Sequence, residues 1–276
     1  MMRLATIRRE SGTAAGLVAD DVVHLLDFPS AKEVLEQGLG SAEAHRTGEQ
    51  VPVEGADFAP VIPTPSATWC VGLNYAGHAE ETGIPLPEFP TVFSKMAAAL
   101  IGARDNIVMP PPNVSVQLDW ETELVLVIGR ECRFSGEAEA EEAIAGYTVG
   151  NDISVRDWQL RTTQWLLGKT LESSSPVGPW MVTKDEFGAL EGKRITCEVN
   201  GETVQSSQLG DLHFKPAELV AYISQMISLR PGDLIFTGTP SGVALSHPDQ
   251  PWLTPGSSVR THIDGLGDLE NVCALP

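Results

Sequence analysis

Apolar residues recur along this chain in short runs broken by glycine and proline, a pattern that predicts strands more often than helices. The strongest run is LDWETELVLVIGR (residues 118–130). Side chains alternate across a strand, so Val125 and Val127 share one face while Leu124, Leu126 and Ile128 share the other. A strand apolar on both faces is expected to be buried. Glu121 and Glu123 lie on the face of Val125 and Val127, and Asp119 on the same face could act as a supporting acceptor. Near the N-terminus, LATIRRE and AAGLVADDVVHLLD read as short strands around a turn at Ser11 and Gly12. SAKEVLEQG (30–38) reads as a helix, with Ser30 as N-cap and Gly38 as stop. Pro60, Pro63 and Pro65 then punctuate a linker. The expected division is a small N-terminal α+β module over residues 1–65 and a larger domain over 66–276. In the larger part, helices are expected over 137–147, acidic at its start, and over 216–229, with proline in its first turn. Leu219, Val220, Ile223, Met226 and Ile227 would form the core stripe of the second, ended by RPG (230–232). These helices are too few for an all-parallel sheet, so the expected class is mainly β with a few helices (α+β).

The 276 residues suffice for one large domain or a large and a small one. The formal net charge of -19 argues against nucleic acid or an anionic membrane as partner, since both need a basic footprint. An anionic substrate would have to be attracted locally. No apolar run approaches the ~20 residues of a membrane span, and MMRLATIRRE lacks the apolar core of a signal peptide. A cytoplasmic protein is expected. Cys70, Cys132, Cys197 and Cys273 are scattered, without the spacing of a zinc site, and read as reduced, packed thiols.

Two like charges buried together are costly without a cation. A hard divalent ion would remove the repulsion between Glu121 and Glu123, although an isolated E-x-E is commonly solvated surface. In NYAGHAEE (74–81), His78 and Glu81 are three apart and share a helix face. A carboxylate beside an imidazole orients it and raises its basicity, which suits activation of water, whereas a bare H-x-x-E is usually an exposed pair without a role. Glu80 lies off that face, and the glycine and prolines of TGIPLPEFP (82–90) suit a loop that moves.

At these positions the chain resembles the fumarylacetoacetate hydrolase family. The matching segments are CVGLNYAGHAEE (70–81), residues 118–130, GYTVGNDISVRDWQ (146–159), GKTLESSSPVGP (168–179), RPGDLIFTGTPSGV (230–243) and GLGDLEN (265–271), in the family's order. The resemblance implies a rolled, mixed β-sandwich, a small N-terminal domain and a homodimer. It implies Mg²⁺ or Mn²⁺ held by Glu121, Glu123 and Asp152, and a lid-like helix whose His78 and Glu81 work on water. Lys169 would bind the substrate carboxylate or a developing enolate. Arg156 and Gln159 would face substrate or orient carboxylates, although Arg156 could equally be a structural partner of Asp157 or of a metal ligand. Thr239 would offer its hydroxyl and N–H to the substrate carboxylate. Lys95 matches a family lysine without an assigned role, and Glu172 replaces the usual aspartate, which could alter how Lys169 is held. His24, His45, His213, His247 and His262 are expected at the surface or in packing.

The expected substrate is a small keto acid chelated through carboxylate and keto oxygens. Hydrolysis of a C–C bond in a 2,4-diketo acid is the first reading, because it alone requires an activated water. Decarboxylation of oxaloacetate and keto–enol isomerisation use the same electron sink. A metal-dependent phosphoesterase would need more ligands and a positive clamp, and an inactive binding protein would show altered ligands. The substrate tail is expected between the lid and residues 172–175.

Overall fold

A computed structural model describes residues 2–247, 249 and 251–276. Strands β1 (Arg3–Arg9), β2 (Gly12–Ala19) and β3 (Val22–Leu26) form an antiparallel meander. Helix α1 (Ala31–Gln37) follows; the Ser30 side chain accepts from the Lys32 N–H and Gly38 stops the helix at φ 91°. Strand β4 (Arg46–Pro52), largely exposed and with no apolar alternation to betray it, pairs with β3.

Beyond the prolines come β5 (Thr68–Gly72), α2 (Ala76–Thr82) and β6 (Thr91–Ser94), then the two-residue strands β7 (Leu100–Ile101), β8 (Ile107–Val108) and β9 (Leu118–Asp119). Next are β10 (Thr122–Ile128), α3 (Glu137–Ala143), β11 (Ile144–Asn151), β12 (Ser154–Val155) and two single turns, α4 (Arg156–Gln159) and α5 (Leu166–Lys169). The chain continues through β13 (Ser175–Thr183), α6 (Lys184–Phe187), β14 (Arg194–Val199), β15 (Glu202–Gln208), α7 (Pro216–Ser224), β16 (Leu234–Phe236), β17 (Ser258–Ile263) and β18 (Gly267–Ala274).

The large sheet runs β4-β3-β2-β1-β13-β11-β10-β16-β5-β6, with β7 added parallel to β13. A second sheet runs β15-β14-β17-β18-β8. The architecture is mainly β with a few short helices, as the sequence predicts. The junction near residue 65 falls between β4 and β5, and backbone pairing passes across it: Arg3 and Leu4 of β1 stand opposite Val182 and Met181 of β13.

Strand β10 is buried along its whole length. Leu124, Leu126 and Ile128 enter one core with Tyr147, Leu219 and Ile223, while Val125 and Val127 enter another with Leu4, Met181 and Phe236. A third core, around Trp120, Leu118 and Cys197, lies against the second sheet.

Two helix expectations need correction. The helix begun at Glu137 ends at Ala143, and Ile144–Asn151 is strand β11, paired with β10 and β13. Sheet pairing on both edges outweighs local helical preference there. Helix α7 ends at Ser224, well short of the RPG segment. Met226 is 82% exposed and Ile227 43%, so neither belongs to the core stripe of Leu219, Val220 and Ile223. Among the described residues, no helix is long and apolar enough to cross a membrane.

Candidate active site

The acidic residues meet where β10 and β11 begin and end together. Antiparallel pairing sets Thr122 opposite Asn151, so Glu121, just before β10, and Asp152, just after β11, become neighbours. The Asp152 N–H donates to the Glu121 carbonyl at 2.8 Å, and the Glu121 N–H donates to Asn151 Oδ1 at 2.9 Å. Glu121 thus sits in the break between β9 and β10 rather than within a continuous strand. Among the described residues, Glu121, Glu123 and Asp152 form a group in which each offers one carboxylate oxygen, these three atoms lie within 4.8 Å of one another, and all three residues are buried.

Cations surround this group unevenly. Lys169 Nζ lies 2.6 Å from Glu121 Oε2 and 3.0 Å from Asp152 Oδ2. Lys95 Nζ lies 2.7 Å from Asp152 Oδ1, a charge contact without hydrogen-bond alignment, and donates to the Ile153 and Lys169 carbonyls. Arg156 stands beside a candidate metal ligand, Glu121, and not beside Asp157. Its Nε donates to Asp119 Oδ2 and its Nη1 stands beside Glu121 Oε1, both at 2.7 Å, while Asp157 accepts from Ser115 instead. Asp119 also accepts from the Ala244 and Leu245 amides. Arg156 Nη1 donates to Gln159 Oε1 at 2.8 Å. Turn α5 reaches this cluster because Gly168 packs on α4: a Cβ at Gly168 would stand 2.2 Å from the Gln159 nitrogen.

The carboxyls respond differently. Burial pushes Glu121 up, but Lys169 and Arg156 outweigh it and hold the group at about 2. Glu123 is pushed well above the usual carboxylate range by burial and by the charges of Asp152 and Glu121, against which Lys169 and the Gly238 N–H are insufficient. The donor set is therefore short of positive charge at Glu123, which fits a hard divalent cation shared by the three carboxylates. Lys169 is held above the usual lysine value: burial lowers it, and Asp152 and Glu121 overcome that.

His78 and Glu81 lie on α2, as expected, with Nδ1 and Oε1 2.7 Å apart. Glu81 Oε2 also accepts from the Gly242 N–H at 2.9 Å and stands 3.1 Å from His247 Nε2. Burial raises the Glu81 carboxyl, but these bonds, led by that from His78, bring it below the usual range. An ionised Glu81 fixes the proton on His78 Nδ1 and leaves the Nε2 lone pair available as a base. Glu80 is exposed.

Thr239 is oriented by a relay. The Thr122 N–H donates to Gln205 Oε1 at 2.9 Å, which directs Gln205 Nε2 to donate to Thr239 Oγ1 at 2.8 Å. The threonine hydroxyl is then left to donate its own proton. His78, Glu121, Arg156, Gln159, Lys169 and Thr239 line one cavity of about 90 Å³; Asp152 and Glu123 lie behind it through the contacts above.

His247 is exposed, as the sequence suggests, and it also reaches the site through Glu81. Two readings of the sequence are corrected. The cavity is walled by His78 and Thr82 of α2, by Ile84, and by Gln159, Leu160 and Trp165, not by residues 172–175. Glu172 is exposed, and the Lys169 side chain is held instead by Glu121 and Asp152. Sequence reasoning missed the parts of Asn151 and Gln205, whose hydrogen bonds span 30 and 83 residues with no local pattern. Cys70, fully buried and its thiol pushed up by burial, is core and no nucleophile.

Comparison with known proteins follows this geometry. The sequence pattern described as fumarylacetoacetate (FAA) hydrolase C-terminal matches residues 67–274. A protein from Bos taurus, named oxaloacetate tautomerase FAHD2A, mitochondrial, is 40% identical over 270 residues, covering 95% of this chain and 85% of that one. The crystal structure of 2-hydroxyhepta-2,4-diene-1,7-dioate isomerase from Mycobacterium marinum superposes with a TM-score of 0.83 at 30% identity, covering 100% of this chain and 99% of that one. The fumarylacetoacetate hydrolase from Exiguobacterium antarcticum superposes with a TM-score of 0.88 at 26% identity, covering both chains fully.

Proposed function

This chain belongs to the fumarylacetoacetate hydrolase family, and from that premise we propose that it is a Mg²⁺- or Mn²⁺-dependent hydrolase that cleaves a C–C bond of a 2,4-diketo acid of the acylpyruvate or fumarylpyruvate type. Glu121, Glu123 and Asp152 would hold the ion, which when bound supplies a Lewis acid for the carboxylate and keto oxygens of the substrate. Thr239, Arg156 and Gln159 bind and orient the 2-oxo-acid head; the free proton of the Thr239 hydroxyl is the donor the geometry offers to its carboxylate. His78 takes a proton from water at Nε2, and the oxygen attacks the C4 carbonyl carbon. The C3–C4 bond then breaks, with its electron pair passing to C3. The pyruvate enolate so formed is stabilised by the ammonium of Lys169, and protonation at C3 completes pyruvate beside a carboxylic acid.

The observation that carries this reading is the His78–Glu81 pair, 2.7 Å apart on α2, with His78 facing the same cavity as Glu121 and Lys169. A second reading, keto–enol isomerisation of oxaloacetate, draws support from the name of the Bos taurus relative. There His78 would carry a proton between C3 and the enol oxygen: the C3–H bond breaks, an O–H bond forms, and no C–C bond is broken. Oxaloacetate decarboxylation is a third use of the same electron sink.

The ultraviolet enol absorbance of acetylpyruvate tests the choice. Absorbance should fall on adding Mg²⁺ or Mn²⁺ and stop falling with EDTA, with pyruvate and acetate appearing together. His78→Ala should lower that rate by about 10²–10⁴. Oxaloacetate enol loss without any cleavage of acetylpyruvate would favour the second reading.

A further inference from the structure

The cavity lining has a charged part and an apolar part. Its charged lining is Glu121, Arg156 and Lys169, with His78 on the lid. The Lys169 ammonium is already matched by Glu121 and Asp152, and Nε and Nη1 of Arg156 by Asp119 and Glu121, which leaves Arg156 Nη2 as a buried donor for the head of a ligand. The outer wall is made of Leu73, Ile84, Leu160, Trp165 and Leu245, and Phe93 joins the two parts, with Lys169 Nζ 5.3 Å from its ring centroid. The rings of Phe93 and Trp165 meet edge to face with centroids 5.4 Å apart. Trp165 lies so close over β5 that a Cβ at Gly72 would stand 2.8 Å from its ring. Ile84, Leu160 and Leu245 are 47%, 59% and 37% exposed. One exposed leucine means little, but three apolar side chains at one mouth are area that an apolar ligand would take out of water. The cation next in sequence, Arg161, is engaged elsewhere, over the Trp158 ring at 4.1 Å and 3.7 Å from Asp157.

We infer that this outer wall selects a 2-oxo acid with an uncharged apolar tail, a short alkyl or aryl group, over one whose tail ends in a carboxylate. The inference rests on the reading above that the triad end receives the 2-oxo-acid head. A carboxylate placed among Ile84, Leu160, Trp165 and Leu245 would lose water without gaining a charged donor. A hydrocarbon tail would gain by the same burial. Within the proposed substrate class this favours hydrocarbon acylpyruvates over fumarylpyruvate-like diacids, and oxaloacetate has no tail to place there.

Titration calorimetry of the full chain loaded with Mn²⁺ tests this with two six-carbon probes, 2-oxohexanoate and 2-oxohexanedioate. The monoacid should bind at least about tenfold more tightly. The preference should persist in about 0.5 M salt, where the screening length falls to roughly 4 Å. Leu160→Arg, a change at an exposed rim position, should narrow the gap at least about threefold. Equal or tighter binding of the diacid would overturn the inference and leave the head site standing. A preference that disappears in salt would assign it to the net charge of -19 rather than to the wall, and would also overturn it. An unchanged gap in Leu160→Arg would remove Leu160 from the tail wall. Failure of both acids to bind would instead overturn the reading of the head site, and this inference with it.

Discussion

Glu123 is buried against Glu121 and Asp152 and accepts a hydrogen bond from the Gly238 amide. Without a cation its charge is opposed by two neighbours, so function and metal-free stability should pull in opposite directions at this residue. Glu123→Gln keeps an oxygen for the Gly238 N–H and removes the cost of either burying the charge or taking up a proton. In EDTA the variant should melt above the parent. Added Mn²⁺ should raise the parent's Tm, by linkage worth about 2.7 kcal/mol at a hundred times Kd, and leave the variant's unchanged. Scanning calorimetry with and without Mn²⁺ checks both; a variant less stable than the parent in EDTA would show that the carboxylates do not repel. The triad was legible in the sequence because E-x-E is local and Asp152 lies in a recognisable segment. His247 was not: its partner Glu81 is 166 residues away, and nothing in SHPDQ marks a functional histidine. Lys95 was visible only as a match, since what gives it meaning is a contact with Asp152 that no spacing encodes.

At the scale of elements, alternation succeeded where burial is two-sided and failed where a helix had to end. Strand β10 was readable because its alternate residues enter two different cores. The apolar stripe of α7 looked longer than the helix because Met226 and Ile227 keep helical spacing through the closing turn, where their side chains are exposed. The two cases predict unlike costs. Leu126→Ala should destabilise by about 2–5 kcal/mol through lost burial and a residual cavity. Met226→Ala should stay within about 0.5 kcal/mol of the parent. Urea unfolding followed by tryptophan fluorescence would measure both; a Met226→Ala cost above about 2 kcal/mol would restore that residue to a packed stripe.

For the whole molecule, the mainly β class followed from the scarcity of helical patterns, but the strand order did not. Pairing of β1 with β13 joins segments far apart in sequence, and no local signal specifies which edge a strand will find. Assembly beyond the chain rests on the family resemblance, from which a homodimer is expected. Sedimentation velocity at micromolar concentration should show a species of twice the chain mass, and a monomer there would count against it. The β1–β13 ladder also has a consequence in time. Arg3 is polymerised 179 positions before its partner Val182. At about 5–20 residues per second, the first hairpins wait roughly ten to forty seconds with one side of β1 unpaired. Through that interval the nascent chain carries an open β-edge that any other strand could join, so the yield of this protein in a cell should depend on how fast it is translated and on what shields its first strand meanwhile.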